Sequence, residues 1–215
     1  EGLGDDLENI SFMRSVDPND IRQGDLGDCW LLSTLALAAE WPQFLPGLVD
    51  RRTLSNEGRY IVALFDYSAR QWSHVIVDDS IPASDGQSPD FVDFTADGET
   101  WPTVFEKAFA LLGGGYQNID GGVCTFAMGA LTGGVDHLYT LQQKGSKWQL
   151  WKNNFKSSNP QHPSNSEIVE TPWPDHTSGL QGKSMEELMP LLQQWDNQHF
   201  LMCAGSNSGT NAEKS

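Results

Sequence analysis

The chain is short of positive charge: 13 Lys and Arg stand against 29 Asp and Glu in 215 residues, a formal net charge of −16. Nucleic acids and anionic membrane surfaces are held by clustered Lys and Arg, so this balance disfavours both as partners. Cysteine is scarce too. Cys29, Cys124 and Cys203 are odd in number and irregular in spacing, which argues against a disulfide framework and for a reducing compartment, with the cytoplasm as the default. There is no apolar run of transmembrane length and no signal-peptide pattern. The five histidines, His74, His137, His162, His176 and His199, form no H-x-x-x-H pair, and the cysteines form no C-x-x-C, so the common zinc patterns are absent. Diffuse acidity of this kind is mostly solvated surface and remains compatible with cation binding.

What the chain does have is a thiol in an unusual place. In Gln23-Gly24-Asp25-Leu26-Gly27-Asp28-Cys29-Trp30-Leu31-Leu32, Cys29 opens a segment to Trp41 that is apolar on nearly every face, the pattern of a helix through the middle of a domain. Asp28 is a suitable N-cap and Pro42 a stop, which makes Cys29 the first helical residue, at the end where unpaired N–H groups and the helix dipole favour negative charge. Gln23 lies six residues upstream across a turn opened by Gly24 and Gly27. Its amide, with the Cys29 N–H, is placed to donate to the oxygen of a tetrahedral intermediate. For a lone cysteine the ordinary reading is a small buried hydrophobe; here the surroundings favour a nucleophile.

Elsewhere the pattern is mixed. Residues 59–65 and 70–78 read as an antiparallel hairpin. Thr100 and Pro102 open a second helix, with Trp101, Val104, Phe105, Ala108, Phe109 and Leu112 on one face. Ser184 and Glu187 form a capping-box pattern for a further helix that Pro190 should kink, and residues 199–204 read as a strand. Residues 142–182 are rich in Ser, Asn, Gln, Pro and Lys with isolated Trp and no sustained period; they read as an exposed insertion, with a short strand at 147–151. The length suits one well-packed domain or two small ones, and the absent Met and the polar tail at 206–215 suggest a piece of a longer chain ending in a linker.

The Cys29 motif resembles the catalytic-cysteine motif of calpains, the calcium-dependent papain-like cysteine proteases. Asp20-Ile21 ahead of it, Trp72 to Gly86, Glu99 to Gly122 and Leu131-Thr132-Gly133-Gly134-Val135 are similar to further calpain blocks in family order, and the resemblance returns at residues 184–205. It implies an α+β fold: the first subdomain of a papain-like protease core over residues 1–205, mainly helices around a central buried helix with a small antiparallel sheet. It implies Cys29 as nucleophile and Gln23 as oxyanion donor, protein substrates, and a second core subdomain of the same longer chain carrying the histidine and asparagine. Calcium is the implied cofactor, with Asp20 and Glu99 as ligands and carbonyls from residues 13–16 completing the shell. Gly122 falls at the glycine pair of the cleft wall, where bare backbone lets an extended substrate pair with it.

The expected activity of the chain alone is therefore nil, because a nucleophile without a general acid cannot expel the leaving amine. Two other readings stand beside this one. A non-catalytic peptide-binding or regulatory protein could use the same scaffold, and a compact active protease could use His137 with Asn153, which look like the family's histidine strand and asparagine. His137 comes too early for that: it follows the Thr-Gly-Gly-Val signature with one residue between, where calpains are still closing the first subdomain.

Overall fold

The computed structural model describes residues 10–84, 89–134, 138–144, 147–166, 168–170 and 184–204. The architecture is α+β, as the sequence pattern implies. Helix α1 (Cys29–Ala39) runs through the interior, with Trp30, Leu31, Leu32, Thr34, Leu35, Ala38 and Ala39 all buried. Around it lie α2 (Trp101–Gly113), α3 (Cys124–Thr132) and an antiparallel hairpin of β1 (Arg59–Asp66) and β2 (Gln71–Asp78), paired from Arg59 opposite Asp78 to Asp66 opposite Gln71. Trp30 is the hub: its indole stands edge-on to Phe109 of α2 and Phe126 of α3, with ring centroids 6.4 and 5.8 Å away, and its Nε1 donates to the Ile119 carbonyl at 3.1 Å. Burying side chains of this size contributes about 2–3 kcal/mol each, so α1 is held by the packing of its buried faces rather than by helix propensity, with Cys29 and Ser33 on an exposed edge.

Helix α2 ends at Gly114, whose φ of 91° is the left-handed geometry that a glycine cap provides. The hairpin turn is closed by the Asp66 carboxylate, which accepts from the Ser68 and Ala69 N–H groups. The inner β1 residues Tyr60, Val62 and Leu64 face the core, whereas most of β2 is exposed.

The stretch read as an insertion carries more regular structure than its composition announces. Strands β3 (Tyr139–Lys144), β4 (Lys147–Asn153) and β5 (Ile168–Glu170) form an antiparallel sheet in that order. Helix α4 (Met185–Asn197) opens on the Ser184 and Glu187 capping box and continues through Pro190, and its Leu188 and Leu191 pack with Leu150 of β4 in a small second core. Residues 155–166 dock on the main core. Phe155 packs against Tyr67 and Phe126, and the buried Ser158 hydroxyl donates to Asp66 while accepting from the Tyr67 N–H. The Asn165 amide holds this segment in shape. Its oxygen accepts from the Lys156 and Ser157 N–H groups, and its nitrogen donates to the Ser157 and Asn159 carbonyls, all within 2.7–2.9 Å. Isolated polar residues look like loop in a sequence; their mutual satisfaction is visible only once folded. Residues 171–182 of the stretch and the tail at 206–215 lie outside the described residues.

The strand expected at residues 199–204 does not form. His199 takes a left-handed φ of 61° after the α4 C-cap, its N–H bonding the Asp196 carbonyl and the Phe200 N–H the Trp195 carbonyl, at 2.9 and 3.0 Å. This is the Schellman arrangement with a histidine in the usual glycine position, and Phe200 stacks obliquely on Trp195, ring centroids 6.3 Å apart. The first two donors of such a strand are engaged in ending the helix. The chain then turns back so that Leu201 and Cys203 pack against the main core.

Asn165→Ala removes two acceptor and two donor contacts at once, and is expected to lower unfolding free energy by about 2 kcal/mol or more in urea titrations. A change within about 0.5 kcal/mol, the range of an ordinary surface substitution, would show that water replaces the amide without loss.

Candidate active site

The segment before α1 is fixed by close backbone approaches. A Cβ on Gly24 would lie 1.8 Å from the Phe91 carbonyl oxygen, so no other residue fits, and the next N–H, of Asp25, bonds the Asp90 carbonyl. On the other side the Gly27 N–H donates to the Asp120 carboxylate at 3.0 Å and the Gly121 N–H to the Gly27 carbonyl at 2.8 Å. A side chain on Gly122 would strike the Trp30 indole, 2.5 Å from Cε2. The loop at residues 120–122 is thus strapped to the start of α1, and the Gln161 amide braces it from outside through the Gln117 and Asp120 carbonyls. The structure gives Gly122 a packing reason for being glycine, in an exposed loop beside the helix start.

Cys29 is the first residue of α1 and its thiol is exposed. The Leu31 and Leu32 N–H groups both bond the Asp28 carbonyl, leaving those of Cys29 and Trp30 without an intrahelical acceptor. Gln23 turns back within the same loop, its Nε2 donating to the Leu26 carbonyl at 2.7 Å. One of its two amide hydrogens is occupied there and the other remains for a ligand. Among the described residues no histidine or asparagine bonds the Cys29 thiol. His162 pairs with Ser164, and Asn153 is buried at the end of β4 with its amide bonded to the Thr140 hydroxyl at 2.7 Å. His137 lies outside the described residues.

Asp28 departs from the role its position suggests. It makes no side-chain capping bond; its carboxyl is fully buried and turned under the helix toward Glu106 of α2. Apart from its own backbone N–H, no N–H or hydroxyl among the described residues meets it, so two ionised carboxylates would face each other in the core. One proton resolves this. Burial first, and then the Asp28 carboxylate, push Glu106 up to about 9, and the Val92 N–H on the Glu106 Oε1 opposes them. Burial and the nearby Asp120 charge raise Asp28 as well, against the hydrogen bond from Glu106. Glu106 thus donates to Asp28 directly beneath the cysteine. The sequence hides this pair, because Glu106 beside Lys107 reads as solvated charge, and only Lys107 turns outward, to the Asp78 carboxylate and the Ser80 carbonyl.

The two predicted metal ligands flank one loop. Asp20 closes the short 3-10 turn Pro18–Asp20, and its carboxylate accepts from the Asp17 N–H at 2.9 Å; burial raises it, the hydrogen bonds lower it, and Asp97 and Asp17 add to the rise. Glu99 is fully buried. Its Oε1 accepts from the Arg14 and Ser15 N–H groups, with the Arg14 guanidinium 3.6 Å away, while Oε2 is buried without a hydrogen-bond partner among the described residues. No three His, Cys, Asp or Glu side chains among the described residues gather closely enough to hold a metal. A shell here needs backbone carbonyls beside the two carboxylates, an all-oxygen donor set suited to a hard cation, and the orphaned Oε2 is a vacant ligand atom for it.

Because the folded chain keeps the Glu106 proton that the unfolded chain loses near the ordinary carboxylate value, this contribution to stability is complete at acid pH and lost as pH rises through about 9. Glu106→Gln supplies the same donor and acceptor at every pH. It is expected to flatten the decline in melting temperature between roughly pH 5 and pH 9, where one retained proton is worth up to about 1.4 kcal/mol per unit. Parallel profiles for the two proteins would contradict the shared proton.

A profile described as calpain family cysteine protease matches residues 5–214. The calpain-type cysteine protease DEK1 of Zea mays is 36% identical over 124 residues, covering 58% of this chain and 6% of that protein. The calpain-2 catalytic subunit of Gallus gallus is 35% identical over 125 residues, 58% of this chain and 18% of that one. A calpain of Schistosoma mansoni is 35% identical over 158 residues, 66% of this chain and 21% of its own length. The chain therefore aligns with a small part of each of these relatives. With a family match over nearly its whole length, it belongs to the calpain family of cysteine proteases.

Proposed function

We propose that residues 1–205 are the cysteine-bearing half of a calcium-dependent calpain-like endopeptidase core acting on protein substrates in the cytoplasm. The observation that carries this reading is the exposed Cys29 thiol at the first position of a buried helix, with the Gln23 amide folded back in the same glycine-shaped loop. Cys29 Sγ attacks the scissile carbonyl. The developing oxyanion takes hydrogen bonds from the Cys29 N–H and the free Gln23 amide hydrogen. An extended substrate lies along the 121–122 backbone, where the absence of side chains leaves room for strand-like pairing.

Expulsion of the amine requires a proton that Cys29 and Gln23 cannot supply. In this reading a histidine oriented by an asparagine brings it from a second subdomain of the longer chain. The compact alternative with His137 and Asn153 is disfavoured by Asn153, whose amide is buried and already committed to Thr140. Calcium, bound by Asp20, Glu99 and carbonyls of residues 13–16, would neutralise the acidic groups around that loop and fix its course. Asp20 and Glu99 hold the loop from two sides, since one bonds the Asp17 N–H and the other those of Arg14 and Ser15.

The 215-residue chain is expected to leave a fluorogenic peptide uncleaved with or without calcium, while calorimetry shows a calcium heat that Glu99→Gln and Asp20→Asn each abolish. Cleavage lost in Cys29→Ser would place the general acid within these residues, and its further loss in His137→Ala would identify it. Absence of a calcium heat in the unmodified chain would overturn the metal site.

A further inference from the structure

We infer that Cys124 and Cys203 are a disulfide-forming pair, an oxidative modification site separate from the catalytic cysteine. Their sulfur atoms lie 2.8 Å apart, less than one ångström beyond the covalent S–S length of about 2.05 Å. Both also reach the Ser33 hydroxyl of α1, at 3.5 Å from Cys124 and 3.4 Å from Cys203. Two independent features bring the sulfurs together. Cys124 is the first residue of α3, and Cys203 follows the turn at His199 that folds the chain back from α4 onto the core. Both residues are half-buried, and neither has a part in the attack by Cys29.

The reaction needs a two-electron oxidant, and glutathione disulfide is a sufficient one. One protein thiol loses its proton and attacks a glutathione sulfur, forming a mixed disulfide and releasing one glutathione. The second thiol loses its proton and attacks the protein sulfur of that mixed disulfide, releasing the other. The S–S bond between Cys124 and Cys203 replaces the S–S bond of the oxidant, two protein thiols are oxidised and two glutathione thiols appear. Burial and the neighbouring Cys203 push the Cys124 thiol up, which leaves little thiolate and makes the exchange slow. Once formed, the bond encloses β3 to β5 and α4 and pins the segment after α4 to the start of α3, beside Ser33 of α1, one helical turn beyond Cys29.

The test uses the full chain carrying Cys29→Ser, so that the exposed thiol does not compete. It is equilibrated in glutathione buffers from strongly reducing to strongly oxidising, then alkylated and mapped by mass spectrometry. The expected result is two alkylated thiols in the reducing buffer. In the oxidising buffer there are none, with a linked peptide containing both residues two hydrogens lighter than the sum of its parts. Melting temperature is expected to rise by roughly 5–10 °C on oxidation and return with dithiothreitol. Adding Cys203→Ser should abolish the linked peptide and the rise together. Two alkylated thiols throughout, or glutathione attached singly without a linked peptide, would overturn the inference.

Discussion

A single proton held between Asp28 and Glu106 is the constraint on which the active-site geometry rests. Helix α1 is buried along most of its length, so its first turn must begin inside the domain, where Asp28 has no solvent to face. Two charged carboxylates there would repel in a medium of low dielectric, and a neutral pair without a hydrogen bond would leave buried oxygens unsatisfied. Protonated Glu106 removes both costs, and because it belongs to α2, the bond also ties the start of α1 to the helix packed beneath it. The position of Cys29 follows. It is the first residue that clears this buried junction, and its thiol emerges where α1 meets the glycine-shaped loops.

Those loops are held by contacts from distant parts of the chain. The 90–91 segment and the 120–122 loop meet the region before Cys29 at Gly24, Asp25 and Gly27, and the Gln161 amide braces the second of them. Residues 155–166 do more than connect. They brace the loop beside Cys29, while Asn165 holds the segment in shape and Ser158 fastens it to the hairpin end of the core. A polar segment of this kind transmits rigidity through satisfied hydrogen bonds rather than apolar area, since few of its residues other than Phe155 enter the main core.

Much of the domain was legible before folding. An apolar run behind Asp28, a hairpin bounded by Asp66 and Arg70, the second helix behind Thr100 and the Ser184 capping box each carry their own local signal, and all four elements form where those signals put them. The place of Cys29 at the first turn of a buried helix was legible for the same reason, from the helix start and the glycines before it. What escaped depended on partners far away in sequence. Glu106 reads as surface charge until Asp28 is seen opposite it, 78 positions upstream by number (106 − 28). Asn165 reads as loop until its four contacts close, and Cys124 and Cys203 look unrelated until the left-handed turn at His199 reverses the chain. That turn also defeated the expected strand, because apolar composition says nothing about donors already engaged in ending α4.

The most direct test of the central claim is isotope-edited infrared titration of the chain labelled at glutamate side-chain carboxyls. The account predicts one protonated glutamic acid band persisting at neutral pH, lost only as the pH approaches about 9 and absent from Glu106→Gln. Complete ionisation of every labelled glutamate by neutral pH would contradict it, and would require the Asp28 junction beneath Cys29 to be held by some other donor.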